Sequence, residues 1–316
     1  MGWRVLINWF GKRKSSSFVG VEIRTDGISL AKTCASGDGR RSLEFHGFEP
    51  CNAADRENAL TKLVEASRSS GASCNLVLTN NQYQVFQIER PAVDDAELRD
   101  SLHWKLNDLI DYPLDDAVSD LFEFPEDASR GRKLINAVCA RKSILKEYVA
   151  LLKKCHLDLV SIDIIDLALR NIARTFIGTG IETEGAVGFL YLRNGFGMMI
   201  LVKGENLYLS RKIDVDVDAL KDPSRQETVM QKLSLEVQRS LDYVESQLRQ
   251  IPPRQLLLLG PDISFPLPQL LDPLLAVSVE DANFDGLLPE QDSANLTTLV
   301  QTLVAVGGAC RRSEAV

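Results

Sequence analysis

Side chains that commonly do catalytic chemistry are few and widely spaced in this 316-residue sequence. The three histidines, His46, His103 and His156, lack the short spacing that histidine ligands of a metal ion usually show. The chain contains neither the G-x-S-x-G motif of serine hydrolases nor the H-E-x-x-H motif of zinc proteases. We therefore predict no catalytic residue and no metal site.

Acidic pairs are the remaining candidates, because two neighbouring carboxylates can act as general acid and general base. Such groups occur at Asp94-Asp95, at Asp115-Asp116 and in the alternating run Asp214, Asp216 and Asp218. Their positions at predicted helix starts and in polar loops favour helix caps and solvated side chains over catalytic pairs.

Composition limits the class of protein further. The net charge of −8 argues against a general nucleic-acid binder, because neutralising phosphates needs a dominant basic surface. The longest apolar runs are far shorter than the ~18 residues that a membrane-spanning helix needs. Six cysteines without a C-x-x-C pair indicate reduced, mostly buried thiols in a cytoplasmic protein.

The elements that would position a site begin with two similar hairpins. Residues 17–32 alternate apolar and polar side chains on both sides of Asp26-Gly27, a strong turn signal. Residues 186–211 repeat this strand–turn–strand pattern, with turns near Gly195 and Gly204. A chain that restarts its architecture halfway predicts two similar lobes around a cleft.

Strands alternate with helices in the rest of the chain. Predicted strands cover residues 75–78, 83–88, 117–123, 133–140, 159–164 and 256–259. Predicted helices cover residues 94–110, 143–156, 166–175, 229–248 and 294–307. This alternation is typical of an α/β fold, and the glycines within 178–185 indicate a boundary between the lobes.

The first sixteen residues form a separate arm. Apolar residues recur there at helical spacing and basic residues follow them, at Trp3, Leu6, Ile7 and Phe10 and then Lys12, Arg13 and Lys14. A secretory signal would have the opposite order, with its basic residues first. Two interpretations remain open: an arm that lies on an anionic membrane surface, or a tail whose aromatic side chains pack on the protein body.

An ordered set of short motifs resembles one family. The motifs are V-G-V-E-I at 19–23, Y-P-L-D at 112–115, A-V-C-A-R-K at 137–142, L-D-L-V-S-I-D at 157–163, S-L-D-Y at 240–243 and A-V-G-G-A at 305–309. In this order they resemble PilM, the actin-like cytoplasmic protein family of type IV pilus assembly, over roughly residues 17–311. In its length and in its divergence from PilM proper, the sequence is most similar to the MshI branch, which serves mannose-sensitive haemagglutinin (MSHA) pili.

The resemblance implies an α/β, actin-like (ribonuclease H-like), two-lobed ATPase superfold with an inserted small subdomain. The implied boundaries are an arm at 1–16, a first lobe at 17–180 and a second lobe at 181–316. The inserted subdomain would cover about 85–145.

In nucleotide-binding relatives of this fold, the hairpin turns hold phosphates through glycine amides, and carboxylates organise magnesium. The corresponding positions here are Gly20, Glu22, Arg24, Thr25, Arg193, Gly195 and Gly260. Several depart from the pattern: Glu22 and Tyr191 or Leu192 replace aspartates, Arg24 and Arg193 replace glycines, Ser29 replaces a lysine, and Pro261 replaces a second glycine. We therefore expect no hydrolysis and no required cofactor. ATP binding without hydrolysis stays open, because Arg24 and Arg193 could hold phosphate by charge.

The family function implied is a non-enzymatic scaffold at the cytoplasmic face of the inner membrane. Its implied partners are the cytoplasmic N-terminal tail of a single-span membrane protein and the pilus assembly ATPase. The candidate peptide-binding residues are Trp104, Ile110, Tyr112, Pro113 and Leu114. The alternative for Trp104 and Tyr112 is that they close the small core of the subdomain. Rival functions are an actin-like-fold enzyme or ATP-binding protein and a filament-forming cytoskeletal protein.

Overall fold

The computed structural model describes residues 17–35, 41–176, 186–193, 195–260, 266–284 and 296–311. The candidate membrane arm at 1–16, the boundary at 178–185 and Pro261 lie outside these residues. The chain divides into two compact units. Unit 1 contains Met1–Glu126, Gly131–Ala168 and Thr302–Val316, and unit 2 contains Asp127–Arg130 and Leu169–Gln301.

The predicted strands and helices occur in the predicted order, and the structure adds two strands and two helices that were not predicted, at Arg41–Pro50, Ser278–Asp281, Arg56–Ala66 and Leu267–Leu271. The strands are β1 (Ser17–Ile23), β2 (Gly27–Ala35), β3 (Arg41–Pro50), β4 (Ser73–Leu78), β5 (Tyr83–Glu89), β6 (Ala117–Glu123), β7 (Leu134–Arg141), β8 (Asp158–Ile164), β9 (Ala186–Arg193), β10 (Phe196–Lys203), β11 (Asn206–Ile213), β12 (Gln255–Leu259) and β13 (Ser278–Asp281). The α-helices are α1 (Arg56–Ala66), α2 (Asp95–Leu106), α3 (Lys142–Lys154), α4 (Ile165–Thr175), α5 (Pro223–Ser246), α6 (Leu267–Leu271) and α7 (Leu296–Ala309).

Unit 1 is built on a five-stranded sheet in the order β3-β2-β1-β4-β8. β1 and β4 run parallel, as do β4 and β8, while β2 and β3 add antiparallel strands to the other side. Because side chains alternate along a strand, β1 sends Val19, Val21 and Ile23 into a core with α1 and α3. Gly20 and Glu22 therefore lie on the opposite face of this sheet.

A small three-stranded antiparallel sheet follows β4, in the order β5-β7-β6. The apolar side of α2, formed by Leu98, Leu102 and Leu106, packs on one face of it. Ile135 and Ala137 of β7 complete this separate core. The sheet and α2 together form the small subdomain, from Tyr83 to Arg141.

Unit 2 repeats the sheet order of unit 1. Its strands run β11-β10-β9-β12-β13, with two antiparallel hairpins followed by two parallel pairings. Both predicted hairpins are thus confirmed. The long helix α5 begins at Pro223 behind the N-cap Asp222, whose carboxylate accepts the Ser224 amide at 2.9 Å.

The division between the units differs from the boundary expected near residue 180. The division falls after Ala168, within α4. The last part of α7, from Thr302, belongs to unit 1, whereas the expected second lobe included all of 181–316. The physical reason is close packing of small residues. Glycine at 307 lets α7 approach the backbone of Ala168, where an added Cβ would lie 2.1 Å from the carbonyl oxygen.

The position of Gly20 in the structure does not support the expected role in phosphate binding. Gly20 lies in the middle of β1, paired with Ala31 and Asn75, and not in a turn. A Cβ at Gly20 would lie 1.9 Å from the carbonyl oxygen of Ala305 in α7. Gly20 is therefore a packing residue that lets the last helix lie directly on the strand.

Replacing Gly20 by alanine should lower the free energy of unfolding by about 3 kcal/mol, because backbone atoms of α7 must move to admit the methyl group. Gly260→Ala is the matched control, since its Cβ would meet only Leu258 at an ordinary 3.6 Å. Urea unfolding of both variants measures the difference. Equal stability of the two variants would contradict the packing role of Gly20.

Candidate functional site

Two buried carboxylates lie in one row at the carboxyl ends of the parallel strands of unit 1. Glu22 on β1 pairs in register with Val77 on β4, and Val77 pairs with Asp163 on β8. The three side chains therefore point to the same face of the sheet. Glu22 is 0% exposed and Asp163 is 4% exposed. This edge is where open α/β sheets bind their ligands.

Arg24 in the β1–β2 turn is directed at carboxylates of its own hairpin. Its Nε and Nη2 donate to the two oxygens of Asp26 at 2.8 and 3.2 Å. Its Nη1 lies 3.7 Å from Oε2 of Glu22, and the guanidinium stacks 4.3 Å from the centre of the Phe48 ring. Arg24 is only 8% exposed. A phosphate could reach this guanidinium only if these contacts were broken.

The backbone of the same turn is also engaged. The Arg24 amide donates to the carbonyl of Gly27 at 2.9 Å, and the Arg24 carbonyl accepts from Nη2 of Arg56 at 3.2 Å. The remaining candidate in this turn, Thr25, is exposed. The structure places Arg24 and Thr25 in an internally hydrogen-bonded turn next to Glu22.

Asp163 is held by the end of the chain. Nη1 of Arg311, just after α7, donates to Asp163 Oδ2 at 3.1 Å, and the Ile164 amide donates to Oδ1 at 3.0 Å. Next to it, Asp166 is 7% exposed and accepts a hydrogen bond from the Tyr83 hydroxyl. Each of these carboxylates thus has a donor from a distant part of unit 1.

Asn75 extends the same face toward α7. Its Nδ2 donates to the Gly308 carbonyl at 3.2 Å, and its Oδ1 accepts from Ser161 at 2.8 Å. Thr33 on β2 donates to the Ala309 carbonyl at 2.8 Å. These bonds satisfy the last carbonyls of α7, which would otherwise lack intrahelical donors.

The second hairpin lies in unit 2 and differs in character. Arg193 stacks on aromatic rings, with its guanidinium carbon 5.5 Å from the centre of Phe196 and 6.0 Å from that of Tyr191. Gly195 has a φ of +69° with open space around it, so the turn requires a residue that tolerates this conformation. At Gly260 the surroundings and backbone would admit a side chain.

The candidate peptide-binding residues do not all share one surface. Trp104 lies on the outer side of α2, opposite the leucines of the core, and is 74% exposed. Ile110 follows α2 and packs partly on the subdomain core, so its side chain contributes to the fold. Pro113 is exposed and Leu114 half-buried.

Tyr112 lies at the end of the subdomain core. Arg141 stacks on its ring at 4.3 Å, and burial raises the pKa of its hydroxyl to about 12, with the nearby Cys139 thiol acting in the same direction. Gln84 on β5 pairs in register with Cys139. Within the described residues, Tyr112 Oη and Gln84 Oε1 are both buried without a hydrogen-bond partner. The structure therefore brings a potential donor and an acceptor close to Cys139.

Sequence reasoning missed Asp163, Arg311 and Gln84 as site residues. An acidic residue that ends an apolar strand, as in L-D-L-V-S-I-D, is a signal that could have indicated Asp163. No local pattern distinguishes Arg311 or Gln84 from other surface residues. Among the residues that the structure describes, no cluster of three metal-ligating side chains is found. No helix in these ranges has both the length and the apolar character needed to cross a membrane.

No model of a known protein family matches this sequence. No curated protein sequence matches it either. Solved structures do resemble it. A PilM-PilN type IV pilus biogenesis complex has a chain that is 17% identical, with a TM-score of 0.76 over 94% of this chain and 98% of that chain.

Two further structures resemble the chain more distantly. The cytoplasmic domain of EpsL, an inner membrane component of the type II secretion system of Vibrio cholerae, is 16% identical, with a TM-score of 0.56 over 94% of this chain and 97% of that one. A diol dehydratase-reactivating factor in nucleotide-free form is 7% identical, with a TM-score of 0.52 over 90% and 99% of the two chains. At these identities the likeness shows the fold, and the predicted actin-like fold is confirmed.

Arg311→Ala should lower the free energy of unfolding by about 3 kcal/mol, because it leaves the buried charge of Asp163 without its cation. Asp163→Asn in the same chain should recover part of this loss. Arg90→Ala, which removes a more exposed ion pair with Glu123, is the control and should cost less than about 1 kcal/mol. Urea unfolding of the variants measures the coupling, and additive effects of the two changes would contradict it.

Proposed function

We propose that this chain is a non-enzymatic assembly protein of an MSHA-type type IV pilus, corresponding to MshI in the PilM-like group. It acts in the cytoplasm at the inner membrane, where it binds the cytoplasmic N-terminal tail of a single-span membrane protein. The pilus assembly ATPase is a second proposed partner. The observation that carries the non-enzymatic part is the closed turn at Arg24.

Support for an assembly role comes from the nature of the similar structures. PilM was solved in a complex with PilN, and EpsL is an inner membrane component of a secretion system. The ordered motifs at 112–115, 137–142 and 157–163 lie in β7, β8 and the loop that follows α2. The resemblance thus covers the small subdomain as well as the main sheet of unit 1.

The buried row of carboxylates argues against phosphoryl transfer. Magnesium and a triphosphate need carboxylates that are open to the metal and turn amides that are open to the phosphates. Here Arg24 forms ion pairs with both Glu22 and Asp26, while Arg311 forms one with Asp163. The residues present therefore do not fit a magnesium–nucleotide complex in unit 1.

The proposed tail site is the part of the small subdomain that contains Tyr112 and Gln84. Gln84 Oε1 and the Tyr112 hydroxyl are buried, so an extended peptide would offer them its N–H and C=O groups only after the side chains that cover them move aside. A buried polar atom without a partner costs about 1–3 kcal/mol, so a ligand that satisfies both atoms would gain affinity there. Trp104 would add an apolar contact at the rim of this site.

Purified protein should hydrolyse ATP no faster than a buffer control in the presence of magnesium, because its carboxylates are already paired with arginines. A phosphate-release assay measures this. Magnesium-dependent turnover that Glu22→Gln abolishes would establish an enzyme instead. Saturable ATP binding that Arg193→Ala removes would favour the rival ATP-binding function.

Tyr112→Phe and Trp104→Ala should each weaken binding of the partner's tail about thirtyfold, which corresponds to about 2 kcal/mol for the loss of one anchor. The melting temperature should stay nearly unchanged. Trp104 is largely exposed, and Tyr112→Phe retains the ring that stacks on Arg141. The tail is first identified by capture of single-span proteins from solubilised inner membranes and is then titrated as a synthetic peptide.

Leu235→Ala is the matched control for this experiment. It removes a half-exposed apolar side chain on α5, in unit 2, and should leave tail affinity unchanged. Unaltered affinity in the folded Tyr112 and Trp104 variants would locate the tail site elsewhere on the protein.

A further inference from the structure

The negative charge of the chain is concentrated in one short segment. Residues 94–123 contain ten acidic and two basic residues, a net charge of −8. This equals the net charge of all 316 residues, so the rest of the chain is neutral overall. The segment runs from the start of α2 to the end of β6 and therefore makes the small subdomain strongly acidic.

Part of this charge forms a stripe on the outer side of α2. Glu97, Asp100 and Trp104 are spaced by three and four residues, which aligns them on one face of the helix. This face is opposite the leucines that pack on the small sheet. Asp108 follows Trp104 after another four residues and is also exposed. The large indole of Trp104 thus lies on the same face of α2 as Glu97 and Asp100.

The carboxylates of this stripe differ from others in the segment. Asp111 forms an ion pair with Arg141 and Glu123 with Arg90. Among the described residues, no ion pair involves Glu97, Asp100 or Asp108. An exposed aromatic ring beside several carboxylates is the combination that attracts an apolar and basic segment, through packing, charge and cation–π contact.

The chain itself contains a segment of this chemistry. Residues 1–16 have no acidic side chain and four basic ones, Arg4, Lys12, Arg13 and Lys14. Their apolar residues Trp3, Leu6, Ile7 and Phe10 have the spacing of one helical stripe. The arm therefore complements the α2 surface in both charge and hydrophobicity.

The arm is also attached to the unit that carries this surface. It ends at Ser17, where β1 begins, and β1 and α2 both belong to unit 1. A fully extended chain of 16 residues spans at most about 55 Å, which sets the upper limit of reach for docking within one chain.

We propose that the N-terminal arm docks on the acidic stripe of α2, with its basic side chains on Glu97, Asp100 and Asp108 and its apolar residues on Trp104. The surface is thereby covered in the isolated protein. This inference goes beyond the proposed function and shares only Trp104 with the proposed tail site.

Trp104 can report on the docking directly, because the chain has three tryptophans and the other two, Trp3 and Trp9, lie in the arm. In a full-length Trp3→Phe, Trp9→Phe protein, quenching by acrylamide measures the access of solvent to Trp104 alone. We expect the quenching constant to be at least about twofold lower than in the same protein with the four arm cations changed to glutamine. Raising the NaCl concentration from about 0.05 to about 0.5 M should abolish the difference, because salt screens exposed charges.

A surface variant provides the second, independent measurement. Asp100→Asn with Asp108→Asn should raise quenching of Trp104 to the level of the neutral-arm protein, whereas Glu245→Gln, on α5 in unit 2, should not. The difference should persist on hundredfold dilution. Equal quenching with charged and neutral arms would overturn the proposal, as would a difference that disappears on dilution. Sedimentation of the full chain with anionic vesicles, together with equal quenching, would assign the arm to lipid instead.

Discussion

The close contact between the last helix and the main sheet of unit 1 is the constraint on which the rest of that unit depends. It exists because small residues meet on both sides: Gly20 on β1 faces the backbone of α7, and Gly307 on α7 faces the backbone of Ala168. Asn75 and Thr33 then donate to the last carbonyls of the helix. A side chain at either glycine would separate these layers and leave those polar groups without partners.

This packing also determines the chemistry of the buried carboxylate row. Once α7 lies on the sheet, Arg311 reaches Asp163 at the edge where ligands bind in related α/β architectures. Arg24 reaches Glu22 and Asp26 at the other end of the row. The fold thus retains the position of an actin-like site, while internal ion pairs occupy its charged groups.

The small subdomain carries two chemically different groups of residues. In one of them, Tyr112 and Gln84 hold buried polar atoms near Cys139. On the outer side of α2, Trp104 and the neighbouring carboxylates suit a basic, apolar segment. Both groups of residues belong to the same helix–sheet subdomain.

The sequence by itself determined the α/β alternation, both hairpins, the amphipathic α5 and the substitutions at the phosphate-binding positions, because periodicity and turn residues act over a few neighbours. Only the tertiary structure decided that Gly20 packs against α7 instead of a phosphate and that the end of α7 joins unit 1. It also paired Asp163 with Arg311 across 148 residues, and it left Trp104 exposed while Tyr112 is partly buried. Such contacts depend on how distant layers pack, and no local pattern in the sequence encodes that packing.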